Sequence, residues 1–172
     1  KSNYIVFVGK LNKSKGYDIY KDAILKILDK FPNWKAISIG NESRRDIYIN
    51  HKLHKELGFL DHKKTLEILD KSEIAVVPSR WEEPFGRVAQ EGAASGCATI
   101  TSNKGGLSET NDYTININRL NSKILYKNIK SLIQNKARRR KIQNLSRKNI
   151  KHKISNNTKV IDLMRSSVFP RY

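Results

Sequence analysis

Cysteine is almost absent. Cys97 is the single thiol in 172 residues, which excludes a disulfide framework and any zinc or iron–sulfur site built from several cysteines. No apolar run approaches the ~18 residues that cross a membrane, and no secretory leader pattern opens the sequence. Internal repeats and low-complexity linkers are also missing. The histidines, His51, His54, His62 and His152, lack the cysteine or acid clusters of a ligand set, so no metal is expected. Acid is nearly absent from the last third: residues 113–172 carry 16 Lys+Arg and one acid, Asp162, whereas residues 1–112 carry 18 Lys+Arg and 15 Asp+Glu.

What is present suits one packed domain, with 38% hydrophobic and 8% aromatic residues. The net charge of +18 divides into +3 for residues 1–112 and +15 for residues 113–172. The basic third has two readings: a solvated face enlarged by a Lys, Asn and Ile bias, or a surface for an anionic partner. The first residue is Lys1 rather than Met, and the chain reads as a piece of a longer protein.

Apolar patterning alternates between strand and helix. Tyr4–Val8 reads as a buried strand ending at Gly9, and Lys35–Ile39 as a second ending at Gly40. Between them Tyr17, Tyr20, Ile24, Ile27, Leu28 and Phe31 recur at helical spacing until Pro32. Asn41 to His54 reads as a loop with a short helix, and Leu57–Leu60 as a brief third strand in which Phe59 packs in the core. Asp61 caps a helix over Lys63–Lys71. Ile74–Val77 and Ala98–Thr101 are further strands, with a helix between them that starts at Pro84 and stops at Gly96. Tyr113–Ile117 is the last strand candidate. Only helical patterns follow, around Ile124–Ile133, Ile142–Ile150 and Val160–Met164. The fold class expected is α/β: a Rossmann-like, doubly wound, mostly parallel sheet with helices on both faces. Residues 1–120 form the ligand-binding domain, and residues 121–172 are a basic helical segment on its side.

The informative segment runs from Pro78 to Glu91. Glu83 precedes a helix and Glu91 lies on it, slightly more than two turns apart, so both carboxylates can face one crevice. Carboxylates accept hydrogen bonds from the vicinal hydroxyls of sugars. The helix start beside Pro84 and Gly86 offers N–H groups and a positive dipole end to a phosphate. Gly105-Gly106 lets backbone approach a ligand closely, and Lys10 and Lys15 supply cations at the end of the first strand. Cys97, Trp34 and Trp81 read as packing residues, with Trp81 near enough to Glu83 to line the crevice.

These motifs resemble the C-terminal, donor-binding domain of retaining GT-B glycosyltransferases, in the group 1, family-4-like set that includes sucrose synthases and mannosyl-phosphoinositide transferases. The resemblance rests on Pro78-Ser79, Glu83-Pro84-Phe85-Gly86, Glu91 with Gly92-Ala93-Ala94-Ser95-Gly96, Gly105-Gly106-Leu107-Ser108-Glu109, and Gly9-Lys10-Leu11 with Lys15-Gly16. Gly58-Phe59-Leu60 resembles the segment whose backbone meets the nucleobase. The likeness runs from about Tyr4 to Glu109.

The resemblance implies that Glu83 binds hydroxyls of the donor sugar and acts electrostatically rather than as a nucleophile. It implies that Glu91 holds the ribose, that Lys10 and Lys15 neutralise the diphosphate, and that backbone near Phe85, Gly86, Arg87, Gly105, Gly106, Leu107 and Glu109 completes the site. The reaction implied is transfer of a hexose from a nucleotide-sugar with retention, without a metal or other cofactor. Lys10 departs from the family's usual Arg, Arg87 replaces an apolar residue, Gln90 replaces an aliphatic one, and the Asn41–His54 segment is short. The acceptor-binding N-terminal domain of such enzymes has no counterpart here, so the chain reads as half an enzyme, inactive alone. The partners expected are a nucleotide-sugar, that missing domain, and an anionic membrane surface or lipid-linked acceptor for the basic tail. The location expected is cytoplasmic, peripheral at the inner face of the membrane, in polysaccharide biosynthesis. A different class, a nucleic-acid-binding module using Lys136 to Lys153, is the alternative. Against it, that stretch has few aromatics and no recognised binding motif.

Overall fold

A computed structural model describes the backbone of residues 1–42 and 47–168, and the side chains of residues 1–42 and 47–153. Its strands are β1 (Ser2–Val8), β2 (Lys35–Ile39), β3 (His54–Glu56), β4 (Ser72–Val77), β5 (Ala98–Ser102) and β6 (Ile115–Ile117). Its helices are α1 (Tyr17–Lys30), α2 (His62–Lys71), α3 (Arg87–Ala94), α4 (Ser122–Gln134) and α5 (Lys136–Val168). The strands form one sheet in the order β3-β2-β1-β4-β5-β6, and every neighbouring pair is parallel. The expected doubly wound α/β class is therefore observed.

Alternation along β1 divides the core in two. Ile5 and Phe7 face α1 and α4, joining Tyr17, Tyr20, Ile24, Leu125, Ile129 and Leu132 in the larger apolar cluster. Val6 points to the other face and meets Ile39, Leu69, Ala75 and Cys97. The sheet is covered on both faces, so even the polar residues of β5 are enclosed: all five are buried, Thr99, Thr101 and Ser102 included. Cys97 is fully buried, which pushes its thiol up to about 12, and Trp34 is buried against the guanidinium of Arg139. Both are packing residues, as expected.

Four expectations need correction. The third strand is His54–Glu56, and Leu57–Leu60 follows it as a turn through Gly58. Leu57 and Leu60 pack against the Val6 cluster, whereas Phe59 between them is 78% exposed and is no core residue. The helix expected at Pro84 begins at Arg87; Glu83 is held in a parallel bridge with Gly105, which keeps the next residues out of helical geometry. Trp81 is 60% exposed rather than packed. The patterns around Ile142 and Val160 belong to one helix, α5. Val160, Leu163, Met164, Val168 and Phe169, expected to be exposed in the absence of a second domain, lie outside the residues whose side chains are described.

Candidate active site

β1 and β4 are neighbours whose chains leave in opposite directions. β1 feeds α1 and returns as β2 on one side, while β4 feeds α3 and returns as β5 on the other. Their carboxyl ends therefore frame a crevice at the point where strand order reverses, the usual ligand position in such sheets. A cavity of about 480 Å³ occupies it, lined by Val8 at the end of β1 and Gly9 and Lys10 after it, by Pro78 and Ser79 after β4, and by Lys15, Glu83, Phe85, Gly86 and Arg87. Six candidate site residues, Lys10, Lys15, Glu83, Phe85, Gly86 and Arg87, thus meet in one cavity.

Lys15 Nζ donates to Glu83 Oε1 at 2.5 Å, and both side chains are more than two-thirds buried. Two loops have to be held together for that contact. On the lysine side, Asn12 Oδ1 accepts from the Lys15 N–H at 3.1 Å, and the Ser14 carbonyl accepts from the N–H groups of Arg80 and Trp81 at 2.9 and 3.2 Å. Gly16 follows with φ 71°, and a Cβ there would stand 1.9 Å from the Pro78 carbonyl oxygen, so only glycine lets the loops approach this closely. The Arg80 guanidinium spans the same gap, donating to both Asp18 oxygens at 2.6 and 2.7 Å. Burial tends to raise the Asp18 carboxyl, but the hydrogen bonds and charge of Arg80 outweigh it and hold the carboxyl below its ordinary value. On the glutamate side, the Gly106 N–H donates to the Glu83 carbonyl at 2.7 Å. Gly105 sits beneath, where a Cβ would approach that carbonyl oxygen to 2.6 Å.

The other candidates are placed differently. Lys10 lines the cavity, yet its ammonium turns outward to Glu42 at 2.6 Å. Phe85 is 75% exposed on the cavity wall. Gly86 precedes α3, and no side chain caps that helix start, so its first N–H groups face the cavity end of the helix without a side-chain acceptor. Glu91 does not line this cavity. It lies further along α3, mostly buried, with its Oε1 3.1 Å from Nε2 of His62 at the start of α2. Leu107 is buried beside Val77 and Ala89, supporting the Gly105-Gly106 turn from below. Glu109 is exposed and its carbonyl accepts from Lys153 at 3.1 Å. Phe59 projects into solvent just before α2. Sequence reasoning missed His62 as the partner of Glu91 and the Asp18–Arg80 clamp. Neither pair has a local signal, because its members lie 29 and 62 residues apart.

Comparison with known proteins follows the same outline. Residues 1–149 match the family described as glycosyl transferases group 1. The chain belongs to that family. Among curated relatives, the glycogen synthase of Mycobacterium tuberculosis is 35% identical over 112 residues, covering 61% of this chain and 27% of that protein. The C-terminal domain of a group 1 glycosyl transferase, LpcC, from Francisella tularensis superposes with a TM-score of 0.77 at 24% identity, covering 89% of this chain and 87% of that one. HepE from Anabaena, solved with UDP and glucose, gives a TM-score of 0.79 at 18% identity over 96% of this chain and 48% of that one. This group 1 chain spans under half the length of the curated relatives it matches first. The family match and the shared fold agree with the resemblance of the motifs.

Proposed function

We propose that this chain is the donor-binding half of a retaining hexosyltransferase, taking a sugar from a nucleoside diphosphate and passing it to an acceptor hydroxyl. The observation that carries the reading is the mostly buried Lys15–Glu83 pair at the carboxyl ends of β1 and β4, facing a cavity of about 480 Å³. Membership of the glycosyl transferases group 1 supports it, as does the binding of UDP and glucose by HepE, which shares the fold.

In this reading the diphosphate lies between Lys15, Lys10 and the uncapped start of α3, with backbone at Phe85, Gly86, Arg87 and Gly106 alongside. The bond between the anomeric carbon and the diphosphate oxygen breaks, and negative charge grows on the departing group. Cations and N–H groups fixed in advance stabilise that charge more than the ground state, which lowers the barrier. Glu83 accepts from sugar hydroxyls and, through Lys15, is tied to the phosphate side of the same site. It serves as a positioning and electrostatic group. Glu91 takes the ribose hydroxyls, and backbone beside Phe59 meets the base. Gly105, Leu107 and Glu109 form the turn that closes the sugar side. The charge is met by protein groups alone, with no metal. Residues 1–120 hold the donor and residues 121–172 form its basic flank. A second domain holds the acceptor, so the chain alone binds donor without transferring the sugar. A cytoplasmic place in polysaccharide assembly fits this chemistry.

The test separates sugar from nucleotide. Glu83→Gln is expected to weaken binding of a nucleotide-sugar by about tenfold, the loss typical of a hydrogen bond to a charged group, while the bare nucleoside diphosphate binds as before. Equal weakening of both ligands in a calorimetric titration would contradict the assignment of Glu83 to the sugar.

A further inference from the structure

A second cavity, of about 630 Å³, opens on the outer surface of α4 where it turns into α5, and it shares no residue with the crevice. Lys123, Lys127 and Lys130 of α4 and Lys136 of α5 line it, with Tyr126 and Ser131 among them. The three α4 lysines follow at four and three residues, so they stand along one side of the helix. Arg138 adds a fifth cation at the rim, where its guanidinium donates to Ser131 Oγ at 2.6 Å. No carboxylate lines this cavity, and among the described residues none of the five cations joins an ion pair. Near the crevice, by contrast, Lys15, Arg80 and Lys104 each meet an acid. Like charges at this spacing repel and weaken a helix, and the sequence from 113 to 161 supplies no acid to offset them.

Among the described residues, the apolar side chains of both helices turn inward. Leu125, Ile129 and Leu132 of α4 and Ile150 of α5 are buried in the chain's own core. The sequence pattern of Ile142, Leu145 and Ile150 beneath a basic face is therefore an internal packing stripe, and a partner at this surface has to be held by charge. Tyr126 is the one aromatic side chain in the wall and is half-buried, so the groove lacks the stacking platform that single-stranded nucleic acid uses. A layer of phosphate headgroups needs only spaced cations on an open face.

We propose that the α4–α5 groove docks the chain on an anionic lipid surface through Lys123, Lys127, Lys130 and Lys136. The attachment is peripheral and electrostatic, and it stands apart from the donor reading. Each basic residue that reaches an anionic leaflet contributes about fivefold in partitioning.

The test is co-sedimentation of the full chain with vesicles of phosphatidylcholine, and with vesicles of phosphatidylcholine and phosphatidylglycerol in equal parts. Binding is expected only to the second and should weaken with added salt. The triple variant Lys123→Gln, Lys127→Gln, Lys130→Gln should bind on the order of 100-fold more weakly. Glutamine is nearly as good a helix former as lysine, so circular dichroism should be unchanged. Lys35→Gln, Lys52→Gln, Lys71→Gln removes the same charge from three other exposed positions and should retain most of the binding. Equal loss in both triple variants would overturn the site, because net charge alone would then explain attraction. Unchanged binding in the groove variant would overturn it too, as would groove-dependent binding of an oligonucleotide without binding to anionic vesicles.

Discussion

Lys15 and Glu83 meet only because the backbones beneath them come within touching distance. An exposed ion pair adds little stability, and many add nothing measurable. This pair is shielded from solvent and spans two loops, so its geometry depends on how closely Gly16 seats against Pro78. Gly16→Ala combines a left-handed backbone with a Cβ 1.9 Å from a carbonyl oxygen. The variant is expected to lose about 3 kcal/mol of stability in urea denaturation, from backbone strain and overpacking together. A loss below about 1 kcal/mol would show that the loops have room to part. At this scale the sequence was informative where chemistry and order coincide: Lys15, Glu83, Gly86 and Arg87 were all singled out, and all line one cavity. It was silent on His62, which reaches Glu91 from another helix. It misled on Phe59, whose apolar neighbours Leu57 and Leu60 turn inward while it turns out.

Among the elements, α5 is fastened to the sheet through its first turns. Arg139 is buried, donates to Glu73 at 3.1 Å and to the Leu132 carbonyl at 2.6 Å, and stacks its guanidinium 5.1 Å from the Trp34 ring. Gln143 donates to the same Glu73 carboxylate at 2.7 Å. Burial tends to raise the Glu73 carboxyl, but the hydrogen bonds from Gln143 and Arg139 and the charge of Arg139 outweigh it and hold the carboxyl below its ordinary value. A carboxyl lowered in the folded state contributes stability above its unfolded pKa and loses it as pH falls through the folded value. Stability is therefore expected to decline from the ordinary carboxylate range downward, and Glu73→Gln should flatten that decline. A pH series of thermal melts checks both. Arg139→Ala strands a buried carboxylate and should cost about 3–5 kcal/mol; no loss would mean that α5 is held by its apolar stripe alone. The strands β1, β2, β4 and β5 were legible because apolar runs stopped at Gly9, Gly40, Pro78 and the loop before Gly105. β3 was misplaced because its sequence, His54-Lys55-Glu56, is polar and only its pairing with β2 makes it a strand. The start of α3 was placed early because the Glu83–Gly105 bridge is a contact across the fold that no local pattern reveals.

Over the whole molecule, two surfaces of opposite character share one sheet. At the crevice between β1 and β4, Lys10, Lys15 and Arg80 pair with acids, whereas the α4–α5 side gathers lysines without them. The division of charge at residue 112 already marks that asymmetry in the sequence. What it does not mark is that the described apolar residues of α4 and of the first turns of α5 pack inward on the chain's own core. The central proposal concerns the crevice, as a site for a nucleoside diphosphate held without a metal and with its ribose on Glu91. The direct measurement is calorimetric titration of the chain with UDP, GDP and ADP, with and without EDTA, repeated on Glu91→Ala. The account predicts saturable binding of one nucleotide, unchanged by EDTA and weakened at least about tenfold in the variant. Absence of binding at millimolar ligand, or binding that EDTA abolishes, would contradict it.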